Sequence, residues 1–284
     1  MMFTRRRFLA ATAAGLAGSV LMRDLLAGEG GGLNYRIGSR TDCYGNKLDS
    51  AKKAGLDGVE LGAGKPADKL EITSPERIKK YQDDVKAAGL VVSSLSMDLL
   101  NGNPLATDPK APQWLEQTID AAGQLGAAGI LVPFFWRGDL LKDKELKKAD
   151  VDNVVSRMKE AAPRAKAAGV VLGLENTCSA RQNLEILDRI GSDAVGCYYD
   201  IGNSNDNGYD VPAEIRQLKG RISMFHFKDG ATYIGEGKIK LPAVAEAIKA
   251  IEYKGWIVLE TDCPTKNPEA DATKNVQIIR KALG

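Results

Sequence analysis

From Asn34 onward the chain alternates short, continuous apolar runs with longer stretches rich in Ala, Lys and Glu. Eight apolar runs stand out, at about 35–42, 56–62, 90–98, 129–135, 170–177, 195–202, 221–229 and 255–262. Runs of this length without polar alternation predict strands buried on both faces. Helices are predicted between and after them, at about 46–54, 75–88, 112–126, 149–168, 182–191, 212–219, 241–252 and 271–283. A phrase recurs at the junctions: Lys53-Ala54-Gly55-Leu56-Asp57, Lys86-Ala87-Ala88-Gly89-Leu90 and Lys166-Ala167-Ala168-Gly169-Val170. Gly126-Ala127-Ala128-Gly129-Ile130 is a variant of it. Each phrase ends a helical stretch with Gly, the usual residue just past a helix C-terminus, and then enters an apolar run.

Strands that alternate with helices imply parallel βαβ units. Eight such units in about 250 residues make a single (β/α)8 TIM barrel, with residues 33–284 as its domain. An open doubly wound sheet would want a Gly-rich phosphate loop after an early strand. Gly28, Gly30, Gly31 and Gly32 precede the first strand and open no helix, so they read as a linker.

Composition narrows the function. The 284 residues include 39 Lys+Arg, 37 Asp+Glu and one His, a net charge of +2. That balance excludes a strongly basic nucleic-acid binder. An apolar fraction of 44% with 27% charged residues excludes disorder. One His excludes every multi-histidine metal centre. Four Cys exclude a disulfide scaffold, and Cys43, Cys178, Cys197 and Cys263 form no CxxC pair. Cys43 and Cys263 fall on strands 1 and 8, which are neighbours in a closed barrel. A disulfide there and buried free thiols are both open readings.

Residues 1–32 read as an address label. Thr4-Arg5-Arg6-Arg7-Phe8-Leu9 precedes a small-residue apolar stretch from Ala10 to Leu21, too short to span a bilayer comfortably. The segment resembles a twin-arginine export signal, which implies a periplasmic or extracytoplasmic protein that folds before it leaves the cytoplasm. Membrane association follows only if the signal stays uncleaved. Without residues 1–27 the chain carries 35 Lys+Arg and 36 Asp+Glu, a net charge of −1.

Barrel enzymes place their chemistry at the C-terminal ends of the strands. Four consecutive predicted strands end on an ionisable residue: Glu175 in Leu174-Glu175-Asn176, Asp200 in Tyr199-Asp200-Ile201-Gly202-Asn203, His226 in Phe225-His226-Phe227-Lys228-Asp229, and Glu260 in Leu259-Glu260-Thr261. Three carboxylates converging on one mouth repel unless a cation sits among them. Glu175, Asp200, His226 and Glu260 therefore read as a divalent-metal site. Its hard, oxygen-rich donors favour Mn²⁺ or Mg²⁺, with Co²⁺ and Fe²⁺ also compatible. Around it, Glu60 at the end of strand 2, Trp136 and Arg137 after strand 4, Asn203, Lys228 and Glu236 are candidates for holding substrate. Phe134, Phe135 and Trp136 offer an aromatic wall of the kind that sugar sites use.

These residues, in this order, resemble the xylose isomerase-like barrel superfamily of sugar isomerases and epimerases. The matching features are the strand-5 Glu-Asn, Asp200 with Gly202-Asn203, His226-Phe227-Lys228-Asp229, Gly235-Glu236-Gly237, the strand-8 Glu, and Gly55-Leu56-Asp57-Gly58-Val59-Glu60. The intervals of 25, 26 and 34 residues between the four ligands resemble those of the ketose 3-epimerases. The resemblance implies one divalent metal, a small carbohydrate substrate, and Glu175 and Glu260 as an acid/base pair on opposite faces of that substrate. Related barrels often pair, so a homo-oligomer is compatible with it. Where those epimerases carry a His three residues after the strand-6 Asp, this chain has Asn203, and Lys228-Asp229 stand in the region where they often carry an Arg.

The leading expectation is a metal-dependent sugar isomerase or epimerase moving a proton next to a carbonyl. One rival is a lyase or hydratase acting on 3-keto-glycosides, or a keto-inositol-type dehydratase, using the same proton abstraction. A second is an exported, non-catalytic sugar-binding barrel. The apurinic endonuclease branch of the superfamily, with its His-rich three-zinc site, is disfavoured by the single His.

Overall fold

The structure, a computed structural model, describes residues 35–284, so the export-signal reading falls outside the described residues. Eight parallel strands close into a barrel: β1 (Arg36–Arg40), β2 (Gly58–Gly62), β3 (Val91–Ser96), β4 (Gly129–Phe134), β5 (Val171–Asn176), β6 (Val195–Asp200), β7 (Ile222–Phe227) and β8 (Trp256–Leu259). Each strand pairs with its sequence neighbours, and β1 pairs with β8 from Arg36–Trp256 to Ser39–Leu259 to close the ring. The helices around it are α1 (Leu48–Lys53), α2 (Pro75–Ala87), α3 (Ala111–Leu125), α4 (Lys148–Ala168), α5 (Ala180–Ile190), α6 (Ile201–Asp206), α7 (Val211–Leu218), α8 (Leu241–Ala250) and α9 (Pro268–Leu283). The described residues form a single (β/α)8 TIM barrel.

Local chemistry explains the boundaries. Gly126 and Gly169 end α3 and α4 with φ of 67° and 72°, a left-handed turn that glycine adopts without a Cβ clash. Ser179 and Gln182 form a capping box at the start of α5, which then buries Ile186, Leu187 and Ile190. Two features go beyond the expected elements. A short hairpin pairs Leu141–Lys142 with Glu145–Leu146. The six-residue α6 starts directly after β6, because the Asp200 carboxylate caps its first turn by accepting the Asn203 N–H at 2.8 Å. Among the described residues no helix is long and apolar enough to cross a membrane.

The strand faces turned outward feed a large core beneath the helices, including Ile37, Val59, Leu95, Ile130, Val132 and Leu172. The faces turned inward build a second, smaller cluster of Leu131, Tyr198, Met224, Trp256 and Val258. Tyr198 lies beside Met224 and Met224 beside Trp256, one layer of the barrel interior. Gly173 leaves space for that layer, since a Cβ there would come within 2.9 Å of Tyr198 Cβ.

Candidate metal centre

Successive side chains alternate across a strand, so the residue two positions beyond a floor residue stands above it on the same face. Asp200 stands above Tyr198, His226 above Met224, and Glu260 above Val258, with Glu175 above Gly173. Asp200 and His226 are register partners, as are His226 and Val258. The result is one cluster at the C-terminal mouth. One ligand-type atom from each of Glu175, Asp200, His226 and Glu260 lies within 4.8 Å of the other three. His226 Nδ1 is 3.0 Å from Glu175 Oε1 and 3.4 Å from Glu260 Oε2. Glu175, Asp200 and His226 are buried, while Glu260 is partly open to the mouth.

Lys228, two residues beyond His226, joins the same face. Its ammonium donates to Glu260 Oε2 at 2.7 Å and lies 2.8 Å from Asp200 Oδ2. Its stem passes close to Gly202, where a Cβ would meet Lys228 Cγ at 2.5 Å and the Lys228 carbonyl at 3.0 Å. The Asp200-Ile201-Gly202-Asn203 motif thus has three local duties. Asp200 faces the cluster, Gly202 clears the lysine, and the Asn203 N–H fixes one oxygen of Asp200. Asp229 serves the loop instead. Its buried carboxylate accepts the N–H groups of Gly235 and Gly237 on one oxygen and of Lys238 and Ile239 on the other, at 2.7–3.1 Å. Asn176 ties the end of β5 to α5, donating to Asn183 at 2.8 Å and accepting the Cys178 N–H at 2.9 Å.

Burial and crowding set the electrostatics. Burial pushes the Glu175 carboxyl up to about 8, against the pull of His226. Burial raises Asp200 too, with Lys228 opposing it. For Glu260 burial works the same way, but His226, Lys228 and Arg40 outweigh it and hold the carboxyl down at about 2. Burial disfavours a charged His226, yet Glu175, Glu260 and Glu60 together raise it well above the ordinary histidine range. Lys228, Arg40 and a protonated His226 offset this carboxylate charge, and a bound cation would take the place of the His226 and Glu175 protons. The donor set of three carboxylates and one imidazole is hard and oxygen-rich. Asp200 Oδ2 supports the fit: it is buried, meets no hydrogen bond of proper geometry, and has only the nearby charge of Lys228.

The other candidates fall in different places. Glu60 differs from the expectation that it lines the mouth and holds substrate. The strand runs two residues past it to Gly62, so Glu60 sits one layer below the rim at 2% exposure, 3.3 Å from His226 Nε2. Trp136 follows β4 in a short turn with φ of 47° and is 80% exposed, while Phe134 belongs to the core. Glu236 turns away to Lys274 at 2.9 Å. Asn203 contributes its N–H to Asp200 at the rim. Cys43 and Cys263 are free thiols. Cys43 donates to the Leu259 carbonyl, Cys263 to the Cys43 carbonyl, and burial pushes the Cys43 thiol up to about 12.

Sequence reading missed Arg40. Its guanidinium lies 3.3 Å from Glu260 Oε1, 3.7 Å from Glu60 Oε1 and 2.7 Å from Asp98 Oδ2. The signal was available, because Arg40 closes the β1 run on a charge just as the ligands close theirs. Tyr198 and Ser94, which both donate to Glu60 Oε2, carried no such signal.

A family profile described as xylose isomerase-like TIM barrel matches residues 48–282. The chain is 26% identical to 2-epi-5-epi-valiolone 7-phosphate 2-epimerase of Actinoplanes sp. over 63% of this chain and 66% of that protein, just under two thirds of its length. It is 27% identical to L-ribulose 3-epimerase of Mesorhizobium japonicum over 75% of this chain and 74% of that protein. A solved structure of L-ribulose 3-epimerase superposes with a TM-score of 0.74 at 23% identity, covering 88% of this chain and 94% of the other. The homologues of this chain include sugar epimerases, and the chain carries a Glu/Asp/His group able to hold a metal at the barrel end where TIM-barrel active sites sit. The chain belongs to the xylose isomerase-like TIM barrel family.

Proposed function

We propose that the protein is a divalent-metal-dependent sugar isomerase or epimerase that moves a proton next to a carbonyl, with Glu175 and Glu260 as its acid/base pair. The observation that carries this reading is the convergence of four ligand-type atoms within 4.8 Å at the barrel mouth. The named relatives are epimerases, which supports the reaction class. Glu175, Asp200, His226 and Glu260 would hold the metal, with Mn²⁺ the best match to the donor set. When bound, the cation polarises the substrate carbonyl and favours negative charge on its oxygen. Glu175 and Glu260 flank His226 Nδ1 at 3.0 and 3.4 Å, which suits one to take a proton and the other to return one. Carboxylates in this role are weak bases, so much of the rate rests on their fixed placement. Arg40 and Lys228 supply that placement for Glu260 by gripping one oxygen each. Asn203 and Lys228, at the rim, are the polar groups that would hold the sugar.

A lyase acting on 3-keto-glycosides is the second reading, favoured by Lys228. Its ammonium beside Glu260 is a fixed positive charge that would stabilise a departing oxygen after the same proton abstraction. We place the enzyme outside the cytoplasm on the strength of Arg5-Arg6-Arg7-Phe8-Leu9 and the apolar stretch that follows.

The test is NMR of the Mn²⁺-treated, then Mg²⁺-exchanged protein in D₂O with a panel of ketoses and 3-keto-glycosides. Deuterium entering a carbon next to the carbonyl, with the skeleton intact, is the expected result. Loss of the aglycone with a new alkene signal would establish the lyase instead. No exchange in any substrate would favour a sugar-binding barrel without catalysis. Glu175→Gln and Glu260→Gln should each lower turnover by at least about 100-fold while the protein still folds. Full turnover in both variants would remove them from the chemistry.

A further inference from the structure

His226 has carboxylates on both sides of its ring. Nδ1 faces Glu175 and Glu260, the proposed metal ligands. Nε2 lies 3.3 Å from Glu60 Oε1, close enough for an ion pair but without hydrogen-bond geometry, and neither of these two buried atoms has a hydrogen-bond partner. Glu60 itself is held firmly. Its Oε2 accepts the Ser94 hydroxyl at 2.7 Å and the Tyr198 hydroxyl at 2.8 Å, and Arg40 lies 3.7 Å from its Oε1. The Tyr198 ring also packs edge-on against His226, with centroids 4.6 Å apart. The strand register shifts at Val59/Glu60 and again at Cys197/Tyr198, and such irregularities re-aim side chains. Both shifts fall on this hydrogen-bonded pair.

We propose that Glu60 is a positioning residue for the metal centre: it accepts the Nε2–H of His226 from below, so that the Nδ1 lone pair points at Glu175 and Glu260. The proposal rests on the metal reading of the site. A metal-bound imidazole needs one free nitrogen, and an acceptor on the other nitrogen selects which one that is. Glu60 lies on the Nε2 side of the ring, away from Glu175 and Glu260, and its Ser94, Tyr198 and Arg40 partners make a carboxylate there sustainable.

Because the chain has one histidine, ¹⁵N-histidine NMR reports this ring alone. In the Zn²⁺- or Mg²⁺-loaded wild type the proton should sit on Nε2. In Glu60→Leu, Mn²⁺ affinity measured by calorimetry should fall about 10- to 100-fold, with a smaller loss in Glu60→Gln, which keeps an acceptor oxygen. Tyr198→Phe, which leaves Glu60 in place, should fall between wild type and Glu60→Leu and provides a milder variant where Glu60→Leu does not fold. A proton on Nδ1 in the metal-loaded wild type would overturn the proposal while leaving the metal site standing. Unchanged Mn²⁺ affinity in folded Glu60→Leu would overturn it too. Failure of the wild type to bind any of these cations would overturn the metal reading and the proposal together.

Discussion

Lys228 carries one positive charge between two carboxylates that face the same point. Removing it leaves Asp200 and Glu260 without their ammonium partner. Breaking a buried pair in this way costs about 3–5 kcal/mol in full burial, and less here because the side chains of Lys228 and Glu260 are 26% and 27% exposed. Lys228→Met should therefore lower the urea midpoint clearly in the presence of a chelator. The loss should shrink when Mn²⁺ is added, because the cation supplies the charge that the lysine gave. Denaturation curves with and without Mn²⁺ check this, and an equal loss in both conditions would separate Lys228 from the metal centre. Glu175, Asp200, His226, Glu260 and Lys228 were legible as strand-end charges after apolar runs. Glu60 was legible as a residue, but its depth was not. Depth depends on where the strand ends, and β2 runs on through Leu61 to Gly62.

At the scale of the element, the loop between β7 and α8 is organised by one carboxylate. Asp229 receives four backbone N–H groups. Asp229→Asn puts an NH₂ group where one oxygen accepted two of them. The expected loss is about 1–3 kcal/mol, together with faster amide exchange at residues 235–239. Intact exchange protection would show that the loop is held by something else. The approach to α9 is tied similarly by Asp271, which accepts from Tyr233 and from the Thr265 N–H and hydroxyl at 2.6–3.0 Å. Burial opposes its ionisation, but the hydrogen bonds from Tyr233 and Thr265 win and hold it below its ordinary 3.8. A depressed carboxyl stabilises the fold fully above its unfolded value and loses that contribution as pH falls through its folded value. Wild type should thus lose this tie as pH drops below about 4. Asp271→Asn should start less stable at neutral pH and show a shallower acid limb in a Tm-against-pH series.

For the whole molecule, a ligand that binds only the folded state stabilises it by about 2.7 kcal/mol at 100 times its dissociation constant. In a domain of this size each kcal/mol moves Tm by roughly 2–4 °C. Mn²⁺ should therefore raise Tm by several degrees over the chelated protein. Asp200→Asn, which weakens the set without removing bulk, should lose most of that rise. An identical melting curve with chelator and with excess Mn²⁺ would count against a resident metal.

The order of elements was written in the sequence. Apolar runs buried on both faces, amphipathic helices between them, and glycine at the helix ends specify each unit locally, and eight such units leave few topologies other than a closed barrel. The four residues of the strand-end cluster were written there too, since a charge that ends an apolar run must find a partner. Closure, register and depth belong to the tertiary structure. The pairing of β1 with β8 brings Arg40 to Glu260 across 220 residues of chain, and no periodicity reports such a contact. The register shifts at Glu60 and Tyr198 place a carboxylate under His226 rather than at the rim. Local propensity sets which residues can face the axis, but the layer each one occupies follows from how neighbouring strands slide past one another, and only packing of the whole barrel determines that.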